Sequence, residues 1–468
     1  MMPRLGLLVA VVLLVLIGIV MVFSASTVEA IHNGESATSY VVKQAIFVVL
    51  GSVLALFVYT RDYRSLQGGP FFWVFWGVCA ALLLAVPVIG TNILGATRWI
   101  YIGGFSVQPT EFAKIMLVVA AAKVLLEYRD QIRDLKQALI AAFVLVLLPL
   151  AFLYKTQSDM GSAVVILVGV FVVMWLGGLP GRFVAALGIA VVVAGVFGIV
   201  GYRADRVSVW LDPWSDQYDT GYQMIRSFFA FSEGGILGVG LGNSREKFLY
   251  LPEAETDFIF SIIGEELGLV GALFVIALFV AVLVCGLLIA KRASDDFGTM
   301  IAGGLTCMLV GQAFLNMACA TGLFPTTGKP LPFISSGGSS VVASLLMVGI
   351  IMSVSRVAGE EALTPHRASA ERRRANLNYI RVEDEPPARS RFSSVESEPI
   401  AERPARSRRS HGDPFGGVMA PRGGASRSAS RGSSRPEGNA SMGSRASRRH
   451  DSGMERGANR RGSGRNSR

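Results

Sequence analysis

The chain of 468 residues is 51% hydrophobic and only 17% charged. Its apolar residues occur in runs of about 20, long enough to cross a bilayer. This composition excludes a soluble globular protein of this size. The formal net charge is +10, but the excess lies at the C-terminus, because residues 362–468 hold 23 Arg and only 11 acidic residues. The sequence therefore predicts a polytopic membrane protein with a separate basic tail.

Ten apolar runs predict ten transmembrane helices and an all-α membrane fold. The first run, Leu5–Phe23, precedes Ser-Ala-Ser and resembles a signal peptide. It is long for a signal peptide and more spans follow, so we interpret it as an uncleaved first span. The other runs lie near residues 41–60, 70–89, 110–127, 138–154, 161–178, 183–202, 257–290, 298–323 and 338–357.

Basic residues between the runs predict the orientation of the helices. With the N-terminus in the cytoplasm, the short outer loops hold only Arg98, Lys155 and Lys329 as basic residues. The other loop cations then lie inside, as the positive-inside rule requires. In this orientation a large loop at 203–256 faces outward and the C-terminus faces the cytoplasm.

The large outer loop and the run after it are the most polar part of the apolar region. The loop contains Arg245, Lys247 and Glu253, and Asp257 begins the eighth run. A carboxylate at the edge of a hydrocarbon layer is costly, so Asp257 is a candidate functional residue. The alternative is that Asp257 caps its own helix.

The eighth run is too long for one straight span. The segment from Asp257 to Ala290 would form about 51 Å of helix at a rise of about 1.5 Å per residue. We therefore expect a bend that keeps Glu265 and Glu266 away from lipid, at the outer interface or over a polar cavity. Three glycines offer a bend: Gly264, Gly268 and Gly271.

Two more polar groups face the same outer side. Arg98 lies in an outer loop, and Glu111 and Lys114 follow in the first turns of the fourth span. Glu111 and Lys114 form either an exposed i, i+3 pair or the lining of a cavity. Gln157 and Asp159 lie at the mouth of the sixth span, where Asp159 also has the right position to cap that helix.

A third polar segment, residues 323–340, precedes the last span. It contains three prolines, a Gly-Gly pair and the hydroxyl pair Ser339 and Ser340. Non-helical backbone at membrane depth is tolerated where it lines protein or water. We therefore expect a re-entrant or cavity-lining loop.

The sequence predicts neither a nucleotide site nor a metal site. The glycine run 234–242 follows no strand and precedes no Gly-Lys-Ser/Thr, so its likeness to a phosphate-binding loop is superficial. The four cysteines lie in apolar runs without metal-ligand spacing. We expect no cofactor, and a divalent cation stays an alternative without a visible ligand cluster.

Several stretches together resemble the SEDS family of bacterial peptidoglycan polymerases. They are TRWI with SVQPTEFAK, QSDMGSA, GYQMIRSFFAFSEGGILGVGLGNSREKFLYLPEAETDFIFSIIGEELGLVG and PTTGKPLPFISSGGSS. The resemblance covers nearly all of residues 1–357, and GVGLGNSREKFLYLPEAETDF is closer to the division branch of the family than to the elongation branch. The chain departs from the family at Ser158, Arg226 and Ser336, where Pro, Gln and Tyr are usual.

The resemblance implies a transferase that polymerises lipid II, a disaccharide pentapeptide on undecaprenyl diphosphate, at the outer face of the cell membrane during septal wall synthesis. By motif position Asp257 would be the base for the acceptor 4-hydroxyl, in a single displacement that inverts the anomeric carbon. The implied diphosphate ligands are Arg98, Lys114, Arg245 and Lys247. The other substrate-binding candidates are Glu111, Gln157, Asp159, Glu253, Ser339 and Ser340. Two alternatives stay open: a lipid II transporter, and a noncatalytic scaffold for a class B penicillin-binding protein.

Residues 358–468 are predicted to form a disordered cytoplasmic tail, because Arg, Ser, Gly and Pro cannot bury enough apolar surface to fold. The tail is either a solvated segment attracted to anionic lipid headgroups or a docking segment for division proteins such as FtsZ. The expected partners are lipid II, a class B penicillin-binding protein transpeptidase, other division proteins and the membrane. No nucleic acid partner is expected.

Overall fold

The computed structural model describes residues 2–32, 34–93, 96–102, 105–128, 135–157, 159–190, 204–219 and 221–383. The helices of these residues are α1 (Met2–His32), α2 (Ser39–Thr60), α3 (Pro70–Ile89), α4 (Pro109–Tyr128), α5 (Leu135–Ala142), α6 (Leu148–Gln157), α7 (Met160–Leu176), α8 (Gly181–Ala190), α9 (Ala204–Leu211), α10 (Tyr222–Gly234), α11 (Ile259–Lys291), α12 (Asp296–Ala320) and α13 (Gly338–Glu383). A π-helical turn, Phe143–Leu147, joins α5 to α6.

The predicted all-α polytopic membrane fold is confirmed. Seven helices in the described ranges are long and apolar enough to cross a membrane: α1, α2, α3, the Ile140–Gln157 segment, α11, α12 and the Gly338–Glu361 part of α13. The other predicted runs fall on α4, whose 20 residues include four charged ones, and on the shorter apolar helices α7 and α8. The second half of the seventh run, 191–202, lies outside the described residues.

A small antiparallel sheet connects α3 to α4, where the sequence predicted only a loop. Its strands are β1 (Thr91–Ile93), β2 (Ala96–Ile102) and β3 (Phe105–Val107), and β2 lies in the middle. Trp99 pairs with Thr91 on one side, and Ile100 pairs with Val107 on the other. The central strand reads ATRWIYI, and β-branched and aromatic residues favour strands. The sheet fixes Arg98 at the outer end of the bundle.

The long helix α11 bends at Gly268, which confirms the expected bend and locates it. Gly268 has φ +68° and ψ −168°, and the helix is regular on either side. The glycine run packs against this bend. The N–H groups of Val239 and Gly240 donate to the carbonyl oxygens of Glu265 and Glu266, each at 3.0 Å. A Cβ at Gly268 would overlap the backbone of Gly238. The glycine run therefore serves backbone packing rather than phosphate binding.

The core of the bundle is centred on α12. This helix packs against α7 on one side and α11 on the other, while α13 packs against α2. At the α7–α12 crossing, a Cβ on Gly169 would lie 3.4 Å from the Gly304 carbonyl oxygen. Small residues allow such close backbone approach in membrane bundles. The polar outer segments are therefore built on a tightly packed frame.

The last helix extends beyond the predicted end of the membrane domain. The boundary was placed at 357, but α13 continues to Glu383. Residues 358–383 are rich in Ala, Glu and Arg, which favour helix over coil. The rest of the tail, 384–468, lies outside the described residues, and its predicted disorder stays a prediction.

Candidate active site

Asp257 lies in the turn between the large outer loop and α11. Its backbone carbonyl oxygen accepts a hydrogen bond from Asn316 Nδ2 of α12 at 2.8 Å. The same Nδ2 donates to the carbonyl oxygen of Lys329 at 2.7 Å. Phe258 occupies the N-cap position of α11, so the alternative that Asp257 caps this helix is wrong. One amide of α12 thus joins the Asp257 turn to the Pro-rich segment before α13.

The carboxyl group of Asp257 lies among both positive and negative charges. Burial raises the pKa of this carboxyl to about 6, and the charge of Glu253 adds to the rise, while Lys329 and Arg98 oppose it. Gly328, with φ +65°, closes the approach on one side, since a Cβ there would lie 3.3 Å from Asp257 Oδ2. A base is most effective when its pKa lies near the working pH, and this environment places Asp257 in that range.

Lys329 and Asp159 form a fully buried ion pair close to Asp257. The Lys329 ammonium donates to Asp159 Oδ2 at 2.7 Å and to Ser162 Oγ at 2.6 Å. Asp159 Oδ1 also accepts the backbone N–H of Ser162 at 3.0 Å, which caps α7. Burial favours a raised pKa for Asp159, but the charges of Lys329 and Arg98 outweigh it and hold this pKa below its ordinary value. Asp159 is therefore both a helix cap and an ionised member of the outer cluster.

Arg98 and Gln157 adjoin this ion pair. Arg98 reaches from β2, and its Nε donates to the backbone carbonyl oxygen of Gln157 at 3.0 Å. The side-chain amide of Gln157 is buried, and neither its oxygen nor its nitrogen has a hydrogen-bond partner among the described residues. Gln108 Nε2 lies 3.5 Å from Asp159 Oδ2. The cluster thus gains polar groups from β2, the start of α4 and the end of α6, besides those at the start of α7 and before α13.

The predicted pair Ser339 and Ser340 lies in the first turn of α13. Ser339 Oγ accepts the backbone N–H of Gln108 at 3.0 Å and donates to the backbone carbonyl oxygen of Ser106 at 3.3 Å. Ser340 Oγ is buried and has no partner in the described part of the chain. The hydrogen bonds of Ser339 therefore tie α13 to the strand β3 and the start of α4.

Glu111 and Lys114 form a buried pair, so the alternative of an exposed surface pair is wrong. Lys114 Nζ lies 2.9 Å from both carboxylate oxygens of Glu111, and both side chains are 0–1% exposed. Lys114 also donates to Gln312 Oε1, and Gln312 Nε2 donates to the Pro330 carbonyl oxygen at 3.0 Å. This chain of contacts ends on the residue after Lys329 and so supports the same segment.

Lys247 and Arg245 belong to a second cluster, away from the contacts of Asp257. Lys247 Nζ lies 2.9 Å from Glu266 Oε1, and Ser24 Oγ of α1 donates to the same oxygen at 2.6 Å. Glu265 accepts from Ser244 Oγ at 2.6 Å and from the backbone N–H of Arg245. Both Glu side chains are buried among these polar groups, where the prediction placed them at the outer interface or over a polar cavity. The ammonium of Lys247, a predicted phosphate ligand, neutralises Glu266 in this structure, and its role toward phosphate stays a prediction.

Two glutamates of the outer loop shortly precede Asp257 in sequence. Glu253 is exposed, has φ +57° and accepts a hydrogen bond from Thr256 Oγ1 at 2.7 Å. Glu255 is buried, and burial together with the neighbouring Glu29 of α1 raises the pKa of Glu255 to about 8. The backbone carbonyl oxygen of Glu255 accepts the N–H of Ser336 at 2.8 Å. The Asp257 turn is therefore clamped between α1 and the segment before α13.

The structure brings together part of the predicted site and adds residues that were not predicted. The charges of Arg98, Asp159 and Glu253 all influence the pKa of Asp257. The additional residues are Lys329, Asn316, Ser162, Gln108 and Gln312. Lys329 carried a usable signal, a lone cation in a Pro- and Gly-broken segment at membrane depth. The described residues contain no group of three or more His, Cys, Asp or Glu side chains that could hold a metal ion.

Comparison with known proteins identifies the family. Residues 5–360 match the cell cycle protein family that comprises FtsW, RodA and SpoVE. The chain is 38% identical over 351 residues to the probable peptidoglycan glycosyltransferase FtsW of Trichlorobacter lovleyi, covering 75% of this chain and 92% of the relative.

Two solved structures share the fold. One, described as structural coordination of polymerization and crosslinking by a peptidoglycan synthase complex, has a TM-score of 0.61, 29% identity, and coverage of 75% of this chain and 97% of the other. The rod shape determining protein RodA of Thermus thermophilus has a TM-score of 0.54, 27% identity, and coverage of 75% and 96%. The fold and the outer polar cluster define a multi-pass membrane protein with a buried, charge-rich outer site. The chain belongs to the SEDS family, the FtsW, RodA and SpoVE group.

Proposed function

We propose that this chain is a peptidoglycan glycosyltransferase that polymerises lipid II into glycan strands at the outer face of the cell membrane. The family relationship supports this activity, since the relatives with about 37% identity are named probable peptidoglycan glycosyltransferases. The observation that carries the proposal is the environment of Asp257, a carboxyl with a pKa of about 6 beside Lys329 and Arg98. Such a group can accept a proton at neutral pH while nearby cations stabilise developing negative charge.

In the proposed reaction, Asp257 takes the proton of the acceptor 4-hydroxyl as its oxygen attacks the anomeric carbon of the donor. The new C–O bond forms on the face opposite the departing diphosphate, so the anomeric carbon inverts. The electron pair of the broken bond leaves with the undecaprenyl diphosphate. Diphosphate is a good leaving group, so this step requires electrostatic stabilisation rather than a strong acid.

The cations of the site have different roles in this proposal. Lys329 is fully buried and paired with Asp159, so it sets the local potential and does not move onto the substrate. Arg98 is only partly buried and is the candidate for contact with the diphosphate. The buried amide of Gln157, which has no partner within the described ranges, is the candidate for a sugar hydroxyl or amide. Arg245 is exposed and is available for a more distant part of the substrate.

A polymerisation assay tests the proposal against its alternatives. The purified chain in vesicles that contain lipid II should produce glycan polymer, resolved by gel electrophoresis. Movement of lipid II between leaflets without polymer would support a transporter instead. Neither polymer nor movement, from a folded protein that binds a penicillin-binding protein, would support a scaffold.

We further propose that the chain works in the division septum with a class B penicillin-binding protein transpeptidase. This proposal is supported by its similarity to a protein in a peptidoglycan synthase complex, described as coordinating polymerization and crosslinking. Division branch resemblance and the FtsW relatives favour the septum over the cell cylinder. Copurification of the two proteins from a septal membrane fraction tests it, and loss of the pair on removal of residues 384–468 would move the interface to the cytoplasm.

A further inference from the structure

A cavity lies at the other end of the bundle, away from Asp257. It encloses about 460 Å³ and is lined mainly by apolar side chains of α2, α3, α4 and α13. α2 packs mainly against α13 and α3 packs against α4, and the cavity lies between the two pairs. The turn at Tyr63–Leu66 borders it on the side where α2 ends and α3 begins. Under the predicted topology this side faces the cytoplasm.

The interior of the cavity is apolar and deep. Phe75 of α3, Ile115 of α4 and Ile350 of α13 form its walls. Ile115 is only six residues into α4, which starts at the outer side, so the cavity extends from the cytoplasmic end toward the outer half of the bilayer. Phe57 and Phe71, each 51% exposed, flank it. An elongated apolar ligand that enters from the membrane fits this shape.

The polar end of the cavity offers a cation. Arg61 lines it and is exposed, and its guanidinium lies 4.9 Å from the centre of the Phe57 ring. No carboxylate of the described residues pairs with Arg61, although two neighbouring arginines are paired: Arg64 with Asp295 and Glu361, and Arg356 with Glu360. The adjacent Asp62 uses its carboxylate to accept the backbone N–H of Arg64 at 2.9 Å.

We propose that this cavity binds one acyl chain of an anionic phospholipid of the cytoplasmic leaflet, with the lipid phosphate on Arg61. An apolar cavity open to the membrane gives a bound acyl chain fixed van der Waals contacts that bulk lipid lacks. Basic pockets between helices on the cytoplasmic side are typical sites for anionic headgroups. The site is independent of the proposed glycosyltransferase chemistry, because none of its lining residues contributes to the Asp257 cluster.

Native mass spectrometry of the detergent-purified full chain tests this site, with phosphatidylglycerol and phosphatidylcholine of identical acyl chains as probes. The parent should retain phosphatidylglycerol about fivefold better, since one basic side chain near an anionic headgroup contributes on the order of 1 kcal/mol. Arg61→Gln should abolish this preference. Val58→Trp, which fills the cavity from α2, should lower retention of both lipids. Arg292→Gln, at another exposed cation on the same side, should behave as the parent.

Three results would overturn the assignment. An unchanged lipid preference in Arg61→Gln would show that the lipid phosphate does not bind Arg61. An equal loss of the phosphatidylglycerol preference in Arg61→Gln and Arg292→Gln would show that the preference comes from general surface charge. Equal retention of both lipids by the parent, unaffected by Val58→Trp, would show that the cavity holds no acyl chain. Because Arg61 is exposed, its substitution should not disturb folding, so each result bears on binding.

Discussion

The buried pair of Lys329 and Asp159 provides a test in which stability and activity change together. In Lys329→Met the ammonium disappears, and Asp159 keeps the hydrogen bonds from Ser162 and the distant Gln108 amide together with the charge of Arg98. Removing one partner of a buried ion pair costs about 3–5 kcal/mol, because an uncompensated charge stays buried. Since both side chains are 0% exposed, we expect a value within this range. The double variant Lys329→Met/Asp159→Asn should recover much of the loss.

The same variant should change the pH dependence of catalysis. Lys329 lowers the pKa of Asp257, and burial and Glu253 raise it, to about 6 in balance. The base is active when ionised, so turnover falls as pH drops through this pKa. Without Lys329 the pKa rises further, and the acidic limb of the pH–rate profile should move to higher pH.

The measurements are thermal unfolding by tryptophan fluorescence and lipid II polymerisation between pH 5 and 9. Lys155→Met is the matched control, because Lys155 is an exposed outer lysine and its loss should alter neither quantity. A Lys329→Met protein with parental stability and an unshifted acidic limb would refute this reasoning.

Three further changes test the rest of the structure. Gly268→Ala places a Cβ at φ +68° against the backbone of the glycine run and should markedly lower thermal stability, whereas Gly77→Ala, with open space around it, should not; equal behaviour of the two would contradict the bend. Lys247→Met should lower stability with little change in KM for lipid II, because Lys247 neutralises a buried carboxylate. A rise in KM without a loss of stability would show instead that Lys247 binds the substrate. Truncation after Glu383 should leave polymerisation in vesicles unchanged, and loss of turnover by the folded truncated protein would contradict placement of the tail opposite the site.

Hydropathy and glycine placement were sufficient to predict the transmembrane helices of this protein and the bend in α11. Runs of about 20 apolar residues can only be satisfied as helices in lipid, so the helices follow from composition. The bend in α11 followed from its excess length, although three glycines were candidates. Only the close packing of the glycine run against the helix backbone selects Gly268.

Pairing between distant segments could not be predicted. Lys247 and Lys329 are both cations near motif residues, yet Lys329 reaches Asp159 across 170 positions and Lys247 pairs with Glu266. Sequence spacing carries no information about which of these contacts forms. The strand β2 was missed for a related reason: its residues favour a strand, but only the tertiary partners β1 and β3 stabilise one so short. The extension of α13 to Glu383 was also not predicted, because low hydrophobicity and high charge are typical of disordered segments.

The central claim is that Asp257 is the general base of glycan polymerisation, and Asp257→Asn tests it most directly. Asn has the same size, and the contact with Asn316 uses the backbone carbonyl of residue 257, so folding and lipid II binding should persist. Loss of a positioned base lowers the rate by about 10²–10⁴. Glu253→Gln is the control, because it removes a charge that raises the pKa of Asp257 and should only move the acidic limb to lower pH. We predict that Asp257→Asn binds lipid II as the parent does and makes almost no polymer; polymerisation at the parental rate would contradict the account.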